Sequence, residues 1–208
     1  MQKKTLWLGI AFLLVSTLQL KAQYEKSDST YPRKFIGSTM FLLGNFARVN
    51  SPDFAQINFG YRLTGKDVVS LELITWKTAW PIGINPFFNK AYGTPEEKFL
   101  GYIRDYGPSL AYQRFFWKGL YAQIHVMSLF QDFVNNEGEK IDKGFQIFNQ
   151  YRVGYHIKLF KDKFCIQPSF AVTHRPYHTK MPDGFKQQDD KWPKFMFSEP
   201  GLHFGFNF

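Results

Sequence analysis

The side chains able to do chemistry in this sequence are three histidines, His125, His156 and His203, two glutamates, Glu72 and Glu199, and two arginines, Arg62 and Arg152. Beside them stand the amides Gln113, Gln123, Gln146, Gln150 and Gln167. Imidazoles suit zinc, copper or nickel, but these three lie on separate segments without a short-spaced ligand motif, so no metal is assigned. Nucleophilic catalysis needs a Ser or Cys beside a base. The nearest such run, His125-Val126-Met127-Ser128, turns Ser128 to the face opposite His125 in an extended chain, and His174-Arg175-Pro176-Tyr177-His178 contains no Ser. Paired carboxylates at fixed spacing, phosphate-cradling Gly loops and Cys-x-x-Cys motifs are absent, so no catalytic residue and no cofactor is assigned. The chemistry left to these groups is mutual satisfaction. Buried charges must pair or cost several kcal/mol, and Glu72, Arg62, Arg152, His125, His156, His203, Glu199 and Gln150 are expected to form one interior polar network, with Glu72 and Arg152 coupled through it.

What places these residues together is strand periodicity. Eight strands are expected near Phe35–Phe46, Phe54–Leu63, Asp67–Thr78, Tyr106–Phe116, Gly119–Phe133, Gly144–Leu159, Lys163–Arg175 and Phe197–Phe208. On the sixth, Phe145, Ile147, Tyr151, Val153, Tyr155, Ile157 and Leu159 share one face, opposite Gln146, Gln150, Arg152, Gly154, His156 and Lys158. On the fifth, Leu120, Ala122, Ile124, Val126 and Phe130 oppose Gln123, His125, Met127 and Gln131; on the third, Val69, Leu71 and Leu73 oppose Ser70 and Glu72. Pro168 falls on the outer face of the seventh strand and implies a bulge or a weakened ladder bond there. Thr64-Gly65-Lys66, Trp117-Lys118 and Phe160-Lys161-Asp162 read as tight turns. Residues 47–53, 79–105, 134–143 and 176–196 read as longer connections. Short turns alternating with long loops, on strands with one polar and one apolar face, describe an up-and-down antiparallel barrel spanning a membrane, rather than a soluble sandwich.

Composition agrees. The 208 residues include 24 Phe, 11 Tyr and 5 Trp, residue types that favour strands and membrane edges. One cysteine, Cys165, excludes an intramolecular disulfide framework. Residues 1–22 carry Lys3 and Lys4, an apolar run from Leu6 to Val15 and a polar stretch ending at Ala22. That run is about half the ~20 residues of a spanning helix and reads as a cleaved secretory signal. Cleavage would remove three lysines and lower the formal charge from +9 to +6. Residues 23–34 are then a polar periplasmic lead-in and 35–208 the barrel. A secreted membrane protein meets no nucleic acid, so the basic charge does not point there.

The last ten residues place Leu202, Phe204, Phe206 and Phe208 on one face and Gly201, His203, Gly205 and Asn207 on the other. Aromatic alternation ending on Phe resembles the assembly signal of bacterial outer-membrane barrels, and the Leu-Lys-Ala-Gln junction at 20–23 resembles signal peptides of Bacteroidota. The chain thus resembles small eight-stranded Bacteroidota barrels and, more distantly, the OmpA, OmpX and OmpW type without a periplasmic domain. The resemblance implies residence in the outer membrane among lipid and lipopolysaccharide, and recognition of the closing strand by the barrel assembly machinery. The role it implies is structural or surface-interacting, including as a subunit of a larger complex. The aromatic-rich loop 79–105 is a docking site for another membrane protein in that reading. A narrow small-solute channel is the first alternative. A lipid A- or phospholipid-modifying enzyme is the second, although the His-x-Ser-Asn motif of PagL-type deacylases has no match here.

Overall fold

Among the described residues, alternation of apolar and polar residues produces nine strands: β1 (Lys34–Thr39), β2 (Ala55–Arg62), β3 (Asp67–Thr78), β4 (Gly101–Trp117), β5 (Leu120–Asn135), β6 (Lys140–Tyr155), β7 (Ile157–Leu159), β8 (Phe164–His178) and β9 (Phe195–Asn207), with one short helix, α1 (Asp183–Asp189), between the last two. The computed structural model describes residues 32–46, 51–78, 101–190 and 194–208. The expected signal, most of the lead-in and most of the 79–105 loop lie outside the described residues. All pairings are antiparallel. They run β6-β5-β4-β3-β2-β1-β9-β8-β7, and β6 also pairs with β8. Because β7 continues β6 after a break at His156, the circuit is a closed ring of eight strands.

Pairing between β6/β7 and β8 lapses between Gly154↔Ser169 and Ile157↔Ile166, across from Pro168, which has no N–H to give. β1 is half the expected length. It stops at Thr39, and Met40–Phe46 forms 3₁₀ turns instead. The run Phe41-Leu42-Leu43 does not alternate, so an extended conformation would leave apolar groups on both faces. As turns, it lays Leu42 against the buried Phe54, Ile74, Met127, Leu129 and Phe148. Asn45 then takes both backbone groups of Phe54, donating from Nδ2 to its carbonyl at 2.8 Å and accepting its N–H at 2.6 Å.

The expected long connection at 134–143 is a tight turn. β5 runs to Asn135 and β6 starts at Lys140, closed by Asn135 N–H to Glu139 O at 2.9 Å, Glu139 N–H to Asn135 Oδ1 at 2.7 Å and Gly138 at φ +85°. β4 likewise begins at Gly101, ahead of the expected Tyr106, so β4, β5 and β6 stand taller at this end than β1 and β2. α1 fills the space beside them: Phe185 and Met181 bury against Ile103 and Phe133, and Arg175 Nη1 donates to Asp189 Oδ1 at 2.5 Å.

At the opposite, short-turn end, Phe160, Lys161 and Asp162 occupy three consecutive left-handed positions at φ +52°, +59° and +66°. None is glycine. The conformation is held from outside: Asn207 Nδ2 donates to Asp162 O at 2.6 Å, Asn207 N–H to Lys163 O at 2.9 Å, and Lys158 Nζ to Asp162 Oδ2 at 2.8 Å.

Candidate functional site

The register of the ring turns polar side chains inward at mid-height. Glu72 on β3 faces Ser109 on β4 in the ladder, and His125 lies on β5 next in line. His125 Nε2 lies 2.8 Å from Glu72 Oε2 and 2.7 Å from Ser109 Oγ. Glu72 also accepts from Ser70 Oγ at 3.1 Å and Gln56 Nε2 at 3.0 Å. On the far side of the imidazole, Nδ1 is 3.3 Å from Gln150 Oε1. Gln150 turns its Nε2 to both oxygens of Glu199, at 2.9 and 3.0 Å. Its oxygen therefore faces His125, and His125 Nδ1 is the donor in that contact.

The same Gln150 oxygen accepts from Arg152 Nη2 at 2.9 Å, while Arg152 Nη1 donates to Ser169 Oγ at 2.9 Å and the guanidinium lies 4.0 Å from Glu199. Gly201 makes room for this: a Cβ there would collide with Arg152 Nη1. Glu72, His125 and Arg152 are each 3 % exposed and Gln150 is buried with them, so these four are out of water, while the Glu199 side chain keeps 12 % exposure. Each bond among the four is correspondingly strong, and each unpaired atom correspondingly costly.

Two cavities adjoin this layer, one towards each end of the ring. The long-loop cavity, about 690 Å³ counting its open mouth, rests on His125, Gln150, Arg152, Glu199 and His203; the short-turn cavity, about 610 Å³ counted the same way, is bounded by Glu72 and by His203 from the other side. Arg62 and His156 do not join the layer. Both line the short-turn cavity, where Arg62 stacks over Phe115 at 5.2 Å and His156 Nδ1 meets Gln167 Nε2 at 2.8 Å. Glu72 and Arg152 are not direct partners; Gln150 and His125 stand between them.

A second buried cluster was not apparent in the sequence. Asp105 Oδ1 accepts from Gln131 Nε2 at 3.0 Å and Gln146 Nε2 at 2.7 Å, and Gln146 Oε1 accepts from Arg175 Nε at 3.2 Å. Asp105 reads as loop only if β4 begins at Tyr106. Extending the alternation back through Ile103 and Gly101 would have turned it inward with Ser109. Ser109 itself is the other omission, and with His125 it makes the one close hydroxyl–imidazole contact of the layer. It is 2 % exposed and lines neither of these two cavities. Among the described residues no three His, Cys, Asp or Glu side chains converge to hold a metal ion.

Outside, the row at Leu202, Phe204, Phe206 and Phe208 sits on the outer face, with Phe206 packed on Phe164 at 4.8 Å between ring centroids. No protein-family model matches the sequence, and no curated protein and no solved structure matches it either.

Proposed function

We propose that the chain is an eight-stranded transmembrane barrel of the outer membrane whose lumen is closed at mid-height, with a structural or surface-interaction role exercised at its long-loop end. The observation that carries this reading is the inversion of the ring. Outward positions such as Leu71, Leu110, Ile124, Phe130, Val153 and Phe170 are exposed and apolar, whereas Glu72, His125, Gln150 and Arg152 are buried inside. A water-soluble protein rarely exposes a continuous apolar belt; a barrel in lipid requires one.

The belt has the right height. On β5 the outward row is apolar from Leu120 to Phe130, apart from Ser128, and ends at Asp132, which pairs with Lys140 at 2.5 Å. Those ten residue steps span about 33 Å at ~3.3 Å per residue, or about 25 Å at a tilt of ~40°, the thickness of an outer-membrane apolar band. The closed layer argues against the channel reading, and the buried Ser109 against the enzyme reading. In this reading, outer-membrane lipid and lipopolysaccharide surround the belt, the assembly machinery reads β9, and the 79–105 segment offers a surface to another membrane protein.

The test is fractionation of cells expressing the full chain. The protein is expected in carbonate-washed outer membranes, migrating faster on gels before boiling than after. A carbonate-soluble species with one mobility would overturn the reading.

A further inference from the structure

The side-chain charges of the ring are unevenly placed along its axis. The short-turn end, residues 32–35, 61–68, 113–121, 155–165 and 204–208, carries nine Lys and Arg against two Asp. The long-loop end, over the described residues 51–55, 76–78, 101–106, 131–146, 174–190 and 194–197, carries eight Lys and Arg against nine Asp and Glu. Both acids of the short-turn end are already engaged. Asp67 accepts from Arg114 Nη1, Tyr112 Oη and Thr64 Oγ1, each at 2.6 Å, and Asp162 accepts from Lys158 Nζ at 2.8 Å. Lys34, Lys66, Lys118, Lys161 and Lys163 make no ion pair among the described residues.

Each of the four junctions at this end sets such a lysine beside an exposed apolar side chain. Lys66 follows Leu63 in the β2–β3 turn, and Lys161 follows Phe160 between β7 and β8. Lys118 follows Trp117 between β4 and β5, its Nζ 5.1 Å from the centre of the ring. Lys34 on β1 is bonded through its backbone to Phe208. Leu63, Trp117, Phe160 and Phe208 are 54 %, 65 %, 77 % and 69 % exposed. The lysines also stand at the edge of the apolar belt: Lys34 is two residues before the outward Ile36, Lys66 three before Val69, Lys118 two before Leu120 and Lys163 one before Phe164. Three residues of strand span about 10 Å, so every one of these ammonium groups lies at the rim, where aromatic rings and long basic side chains meet lipid head groups.

We propose that the short-turn end is a cationic collar that gathers anionic phospholipids, those whose phosphodiester carries no compensating ammonium, in the leaflet it faces. Distribution decides the kind of partner. A protein docked against the wall covers one side of it, whereas the lysines and their apolar neighbours occupy all four junctions, and a lipid leaflet meets a barrel on every side. Charge decides the lipid. A zwitterionic head brings its own cation to each phosphate, while phosphatidylglycerol brings a phosphate that is free to accept from lysine.

The inference rests on placement of the ring in a membrane, and the experiment separates the two. The purified protein is reconstituted in phosphatidylcholine vesicles containing a trace of phosphatidylglycerol or of phosphatidylcholine spin-labelled on an acyl chain. The motionally restricted fraction of the electron paramagnetic resonance spectrum then measures labelled lipid against the barrel wall. No restricted component with either label would refute the membrane placement. In inserted protein, phosphatidylglycerol is expected to associate about threefold more strongly than phosphatidylcholine at about 0.01 M salt, and about equally at about 1 M, where charges are screened within ~3 Å. Combining Lys34→Gln, Lys66→Gln, Lys118→Gln, Lys161→Gln and Lys163→Gln should remove the preference while the unboiled gel band stays fast, and Arg at the same five positions should retain it. Lys143→Gln, Lys180→Gln and Lys194→Gln together, at the long-loop end, should leave it unchanged. Equal association of the two lipids at low salt would overturn the inference and leave the collar to an acidic protein partner. A preference that survives high salt, or that persists in the folded five-glutamine variant, would overturn it as well.

Discussion

Replacing Arg152 by Met tests whether the mid-height layer is held by a buried charge pair. The guanidinium makes charge-assisted bonds to Gln150 and Ser169, both at 2.9 Å, and stands 4.0 Å from Glu199. At that distance an effective dielectric near 20 gives an attraction of about 4 kcal/mol. Glu199 would keep only the Gln150 amide, leaving a buried carboxylate without its cation, and the expected loss is about 3–5 kcal/mol. Adding Glu199→Leu removes the stranded charge and should recover about 2–3 kcal/mol of that loss. Adding Glu72→Leu instead should couple by less than about 1 kcal/mol, because Arg152 reaches Glu72 only through two intervening side chains. Reversible urea titration in phospholipid vesicles, read by tryptophan fluorescence and by band mobility on unboiled gels, measures all three. Strict additivity for Arg152→Met with Glu199→Leu refutes the pair. Stronger coupling to Glu72 than to Glu199 refutes the arrangement of the layer.

In planar bilayers the purified protein should give no discrete conductance steps, since Glu72, His125, Gln150, Arg152 and Glu199 bridge the lumen; steps in the wild-type protein would show the layer to be permeable. Gly154→Ala should destabilise by about 1–3 kcal/mol in the same urea assay, because a Cβ there would lie 2.5 Å from Tyr121 Oη and 2.7 Å from Pro168 O; an unchanged midpoint would place Tyr121 elsewhere. Cys165, buried at 4 % exposure beneath Gly205, should resist maleimide in folded protein and react at once in urea, and equal rates would contradict its inward placement.

The strands most visible in the sequence are those with one oily and one polar face between glycine-bearing turns. β3, with Val69, Leu71 and Leu73 against Ser70 and Glu72, begins at the expected Asp67. β1 is shorter than expected because Phe41, Leu42 and Leu43 are apolar without a period, and hydrophobicity alone does not separate a strand from turns packed on a core. The β5–β6 connection departs from expectation for the opposite reason. Near Asp132 and Lys140 the strands carry polar groups on their outer face, so no oily row marks them. Inward orientation of the titratable groups follows from period two, but their partners do not. Which inward residue meets which depends on its height in the ring, set by the stagger of strands distant in sequence. That stagger puts Glu72 beside Ser109 and His125 and leaves Arg152 to Glu199, and no local spacing encodes it.

The left-handed Phe160-Lys161-Asp162 turn has a consequence for the order of folding. Three non-glycine residues in that region cost roughly 1–2 kcal/mol each in an isolated chain, somewhat less for Asp. The bonds that compensate come largely from Asn207, near the end of β9. Most hairpins can form early because their turn is locally favourable. This one is locally disfavoured until the last strand arrives, so β7 and β8 should remain unzipped at their shared end until the ring closes, and docking of β9 completes both the wall and the turn in one cooperative step.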